Sequence, residues 1–116
     1  MTTVKDLQKQ FHCCMPLFIA LGDKVRLSIV ELLSEDALKN GGTRGTIDFE
    51  GYAMNVNEIT RRTSLSRPAI SHHLKILKDA GLVGVRQDGT ANYYYLTLRD
   101  STRSLMELGY RLEEFM

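Results

Sequence analysis

The stretch MNVNEITRRTSLSRPAISHHLKILKDAGLVGVRQDGTANYYYL (Met54–Leu96) decides the fold. Ser64-Leu65-Ser66 separates two segments of helical periodicity. The first is brief, capped by Asn57, carries Ile59 and ends near Thr63. The second starts from Ser66 as N-cap, tolerates Pro68 in its first turn and runs to about Ala80. Its buried stripe is Ile70, Leu74 and Leu77, and Gly81 is a natural residue just past its end. Two alternating runs follow, Leu82–Arg86 and Ala91–Thr97, joined through Asp88-Gly89, a strong hairpin signal. A three-residue turn between a short helix and a basic second helix is a helix-turn-helix, and the hairpin makes it winged.

Charge separates this stretch from the rest of the chain. Thr60 to Arg86 holds six cations (Arg61, Arg62, Arg67, Lys75, Lys78, Arg86) against Asp79 alone, a net of +5, whereas the remainder carries −4. A local excess of that size on a chain whose total is +1 is the footprint of a polyanion-binding face. The second helix, about 14 residues or roughly 21 Å long, suits the major groove of duplex DNA. With Ile70, Leu74 and Leu77 inward, the outer face shows Arg67, Pro68, Ser71, His72 and Lys75. These offer fork, hydroxyl and imidazole groups to base edges and phosphates. Ser66 and the free N–H groups of the first turn add an anion site. Lys78 extends the basic face; Arg86, Thr90 and Asn92 flank the wing tip for phosphate or minor-groove contact. His73 borders the buried stripe and is expected to be packed or to face a phosphate.

Outside this stretch, Val4, Leu7, Phe11 and Cys14 follow helical spacing over residues 3–14. Pro16 is expected to break that helix, a short one then reaching Leu21 before Gly22. Asp23 caps the next, which carries Val25, Ile29, Leu32 and Leu33 to about Ser34. From 35 to 51 the periodicity fades, and Asn40-Gly41-Gly42-Thr43-Arg44-Gly45 predicts a loop or small hairpin with Ile47 and Phe49 on one side. Tyr52–Val56 reads as a short strand. A last helix over about Asp100–Phe115 carries Leu105, Leu108, Leu112 and Phe115. The expected architecture is mainly α with a small β-hairpin, one winged helix-turn-helix domain over 1–116, with 57–80 the helix-turn-helix and 82–97 the wing. Leu7, Phe11, Leu105, Leu108, Leu112 and Phe115 make more apolar stripe than one small core can use, which predicts a homodimer through the first and last helices.

The same residues, with ALGDKVRLSIVELL (Ala20–Leu33), resemble the ArsR/SmtB family of bacterial repressors. The likeness covers most of the chain, with 35–51 longer and less alike than usual. It implies a winged-helix homodimer that binds operator DNA and releases it on an intracellular signal. The family's cysteine-rich metal motif corresponds to Asn55-Val56-Asn57-Glu58, which has no thiolate. Its C-terminal motif matches at Asp100, but Thr102, Glu113 and Met116 stand where His, His and Glu would be. The usual metal sites are therefore expected to be absent, and no cofactor is expected.

His12, Cys13 and Cys14 are the remaining metal or thiol candidates. Consecutive helical residues diverge by about 100°, so they do not converge on one ion within a chain. Buried small hydrophobes are the commoner fate of such residues, with a thiol- or soft-metal-responsive repressor as the alternative. Two adjacent cysteines form no disulfide framework, which fits a reducing, cytoplasmic setting. The longest apolar run, Cys13 to Leu21, is too short to span a membrane. A protein-interaction module would leave the basic helix unexplained. An enzyme is disfavoured, because no nucleophile–base pair or phosphate-cradling glycine loop is present. The inducer is not legible.

Overall fold

In the computed structural model, which describes residues 1–116, helix α1 (Val4–Leu21) leads into α2 (Lys24–Asn40). A 3-10 turn (Glu50–Tyr52) and strand β1 (Met54–Asn55) precede α3 (Val56–Arg61) and α4 (Arg67–Asp79). The hairpin β2 (Val83–Asp88) and β3 (Ala91–Leu96) then gives way to α5 (Arg99–Glu113). The sheet is antiparallel in the order β1-β3-β2, with Val83 opposite Leu96, Asp88 opposite Ala91 and Met54 opposite Tyr94. Gly89 and Thr90 form the two-residue turn. Gly89 has φ +64° and Thr90 has negative φ, the type II′ pattern whose twist suits a hairpin.

The core lies where α2, α3, α4 and the base of the wing meet. Ile29, Leu33, Ile59, Ile70, Leu74 and Leu77 are fully or almost fully buried, and Leu82, Val83 and Leu96 close the cluster from the hairpin. The stripe expected on α4 is thus the stripe that packs. Gly81, at φ +79°, turns the chain from α4 into β2 without a Cβ penalty.

Several expectations along the flanks are corrected. Pro16 does not interrupt α1, which runs unbroken from Val4 to Leu21. Pro16 is exposed at the edge of the stripe that buries Cys14, Leu17 and Ala20. Burial of that stripe outweighs the one backbone bond a proline removes. Helix α2 continues past Ser34 to Asn40 because Ala37 extends its buried stripe. The irregular insertion is accordingly 41–49, and it forms a hydrogen-bonded loop rather than a hairpin. Asp48 donates its N–H to the Gly41 carbonyl at 3.0 Å, and Thr46 donates to Thr43 at 3.0 Å. The strand expected over Tyr52–Val56 shrinks to Met54–Asn55. The N-cap of α3 is Asn55 and not Asn57.

Candidate nucleic-acid interface

Local capping fixes both helices of the site. The Asn55 Oδ1 accepts the Glu58 N–H at 2.8 Å, and Glu58 Oε1 accepts the Asn55 N–H at 3.4 Å. This reciprocal box sets where α3 starts. Ser66 Oγ accepts the Ala69 N–H at 3.4 Å and starts α4. Ser66 therefore uses acceptor capacity on the helix, and its hydroxyl proton is what remains for a ligand. Arg67, Pro68, Ser71, His72, Lys75 and Lys78 are all exposed on α4. Arg86, Thr90 and Asn92 are exposed on the wing. Burial of Ile70, Leu74 and Leu77 turns the polar face of α4 away from the core.

Pairing within the chain divides the cations. Arg62 reaches Glu35 at 3.6 Å and Asp36 at 3.5 Å, so it braces α3 against α2 and is not part of a free basic face. Lys75 pairs with Asp79 at 3.0 Å, both well exposed. Such a surface pair is worth at most about 1 kcal/mol and yields readily to a phosphate. Arg61, Arg67, Lys78 and Arg86 have no carboxylate partner. The Arg86 guanidinium instead lies 5.6 Å from the centroid of the Tyr93 ring, its partner across the hairpin. That cation–π contact pre-orders the wing arginine. Sequence reasoning misses Tyr93, because the turn is Gly89-Thr90 and not the expected Asp88-Gly89, and that shift of one residue is what sets Arg86 opposite Tyr93.

His73 is half-buried and faces the scaffold. Its Nδ1 lies 3.3 Å from Arg26 Nη1. Because a guanidinium can only donate, Nδ1 is the acceptor and the ring proton sits on Nε2. Arg26 also donates from Nε to the Ala20 carbonyl at 2.7 Å and from Nη2 to the Ile19 carbonyl at 3.1 Å. One side chain thereby caps the end of α1 and holds α4. The N-cap Asp23 accepts the Val25 and Arg26 N–H groups at 2.8 and 3.1 Å. These backbone bonds, the Arg26 one foremost, hold its carboxyl below the ordinary aspartate range.

The two terminal helices pack against each other. Leu108 is buried beneath α1 of its own chain, Leu7 and Leu112 are half-buried, and Phe11, Leu105 and Phe115 stay exposed. Cys14 is fully buried and its thiol donates to the Ser104 carbonyl at 3.3 Å, beside a 2.9 Å bond from Gln10 Nε2 to the same oxygen. Cys13 is exposed. The two thiols thus face different surroundings. Within one chain no three His, Cys, Asp or Glu side chains come together to hold an ion. No helix is long and apolar enough to cross a membrane.

Comparison with known proteins agrees with this geometry. Residues 50–85 match the model of the arsR family of bacterial regulatory proteins. An uncharacterised HTH-type transcriptional regulator of Methanocaldococcus jannaschii is 38% identical over 100 residues, spanning 86% of this chain and 94% of the relative. The transcriptional repressor SdpR of Bacillus subtilis is 32% identical over 88 residues, spanning 73% of this chain and 80% of SdpR. Among solved structures, reduced HlyU from Vibrio cholerae superposes with a TM-score of 0.65 at 27% identity, covering 94% of this chain and 97% of that one.

Proposed function

The chain belongs to the arsR family of bacterial regulatory proteins, a family of winged-helix, DNA-binding transcriptional regulators and not of enzymes, and from that premise we propose that it is a homodimeric repressor of an inverted-repeat operator. The observation that carries the reading is the outward face of α4 beside the wing tip. Arg67, Ser71, Thr90 and Asn92 line one notch there, His72 and Lys78 stand exposed on α4, and Arg67 has no acidic partner. In the proposed complex, α4 enters the major groove. Arg67 and His72 read base edges, while Ser66, Lys75 and Lys78 hold phosphates. Arg86, Thr90 and Asn92 contact the backbone beside the groove.

Dimerisation is supported by the apolar residues that α1 and α5 leave uncovered. Phe11, Met15, Phe18, Leu105 and Phe115 are each more than a third exposed. Two-fold symmetry would set the two α4 helices about 34 Å apart, one turn of the duplex. The relative SdpR is named a repressor, which supports that sign of regulation. Release is proposed to be independent of the family's usual metal positions, since Asn55, Asn57, Thr102 and Met116 supply no thiolate or imidazole. The buried Cys14 acts in packing between α1 and α5. The test is selection of bound sites from random duplex DNA, with and without reductant and divalent metals. Recovery of one inverted repeat under all conditions is expected. No enrichment would overturn the function, and release dependent on Cys13 or Cys14 would convert the protein to a thiol sensor.

A further inference from the structure

Between α3, the start of α4 and the wing tip lies a notch of about 370 Å³ whose lining includes Asn55, Asn57, Arg67, Ser71, Thr90 and Asn92. It contains no carboxylate. The nearest acid on α3, Glu58, is turned to the Asn55 N–H and closes the capping box. That box also fixes which end of the Asn55 amide is free. Its oxygen is held by the Glu58 N–H, so its NH₂ group is left as a donor. Asn57, Arg67, Ser71, Thr90 and Asn92 make no side-chain hydrogen bond or ion pair within the chain. Three separate elements thus direct unpaired donors and one guanidinium toward one small space. A phosphate ester, anionic and rich in acceptors, meets the guanidinium and these donors together.

We infer that this notch seats one phosphodiester of the bound duplex, with Asn57 and the Asn55 amide as contacts from the start of α3 that complement Thr90 and one N–H of Arg67, whose remaining N–H donors stay free for the base edge. The inference rests on the DNA-binding reading and deepens it. The seat grips the backbone from helix and wing together, so it fixes how far α4 enters the groove. Phosphate contacts of this kind set register and carry no base preference of their own. A free phosphorylated metabolite would offer the same chemistry, and the test separates the two.

The experiment scans single methylphosphonate substitutions, which remove one backbone charge at a time, along a duplex selected by the wild-type protein. Wild type should lose affinity sharply at one phosphate per half-site. Asn57→Ala should bind the unmodified duplex about fivefold more weakly, the loss of roughly one hydrogen bond, with an unchanged thermal midpoint. At that one methylphosphonate its additional loss should be much smaller than the wild type's, because the partner is already gone. Asn57→Asp should weaken binding by about tenfold or more through charge repulsion. If the variant's and the methylphosphonate's penalties simply multiply at every position, or if Asn57→Ala binds like wild type, the seat is wrong while DNA binding stands. Failure of wild type to bind any duplex would instead remove the function, and the seat with it. Saturable shifts of the Asn57 and Thr90 amide resonances with inorganic phosphate or AMP alone, at matched ionic strength, would assign the notch to a free ligand and overturn the DNA source.

Discussion

At the scale of single residues, the outward face of α4 is legible because helical periodicity assigns each side chain to a side once three apolar positions are known. Arg67, Ser71 and His72 follow directly from Ile70, Leu74 and Leu77. Removing Arg67 or His72 should flatten base preference in a site-selection experiment, whereas an unchanged logo would place base reading elsewhere. The bridge from Arg26 to His73 is not legible, since it joins residues 47 positions apart through space. Likewise nothing local shows that Arg62 is tied to Glu35 and Asp36, so a count of cations along the chain overstates the free positive charge. Asp23 yields a pH prediction. Its folded pKa lies below its ordinary value, so its contribution is present above pH about 4 and is lost as pH falls toward the folded value. Urea midpoints should fall between about pH 5 and pH 3, and Asp23→Asn, which keeps a capping oxygen but cannot titrate, should show a smaller fall. An equal fall in both proteins would exclude Asp23 as a source.

At the scale of elements, the helix-turn-helix and wing are readable almost in register because their stops are chemical: Ser66, Gly81 and Gly89 each impose a local geometry. The flanks are less readable for physical reasons. A proline is a strong breaker in isolation, but α1 carries Pro16 exposed at the edge of the stripe that buries Cys14, Leu17 and Ala20. Tertiary packing overrides the local rule there. In α2 the charged Glu35 and Asp36 hide one further turn, which Ala37 buries and which their ion pairs with Arg62 also support. Pro16→Ala should therefore stabilise the fold. Restoring a helix N–H and removing the ring from the preceding turn should add about 1–3 kcal/mol. The expected signature is a thermal midpoint several degrees higher, roughly 4–8 °C per kcal/mol for a domain near this size. A lower midpoint would mean that Pro16 has a packing role of its own.

At the scale of the whole molecule, shape carries information that no motif does. The radius of gyration is 16.0 Å, whereas a compact chain of this length should have about 13 Å. The accessible surface is 7826 Å², against about 6,400 Å² expected from the mass. The longest dimension, 49 Å, is twice the shortest. Helix α5 packs chiefly on α1, and together they expose Phe11, Phe18, Met106 and Tyr110, with Phe115 exposed just past the end of α5. A chain with surplus, apolar surface concentrated on two helices is suited to be half of an assembly. Phe11→Glu should dissociate the proposed dimer at micromolar concentration in sedimentation equilibrium and, with it, abolish binding to a full inverted repeat. A wild type that is monomeric under those conditions would remove the two-fold arrangement. The asymmetry of charge is visible in the sequence, and the structure refines it to Arg61, Arg67, Lys78 and Arg86 with Lys75 in reserve.

The central claim is that the basic face of α4 and the wing neutralises DNA phosphates. The most direct test is the dependence of the duplex binding constant on salt, for wild type and Lys78→Ala. The logarithm of the constant should fall linearly with the logarithm of salt concentration, with a slope of several units for the proposed dimer. Lys78→Ala should reduce that slope by about 0.9 for each phosphate it no longer neutralises, without changing which sequence is preferred. A wild-type affinity that does not change with salt would contradict the account.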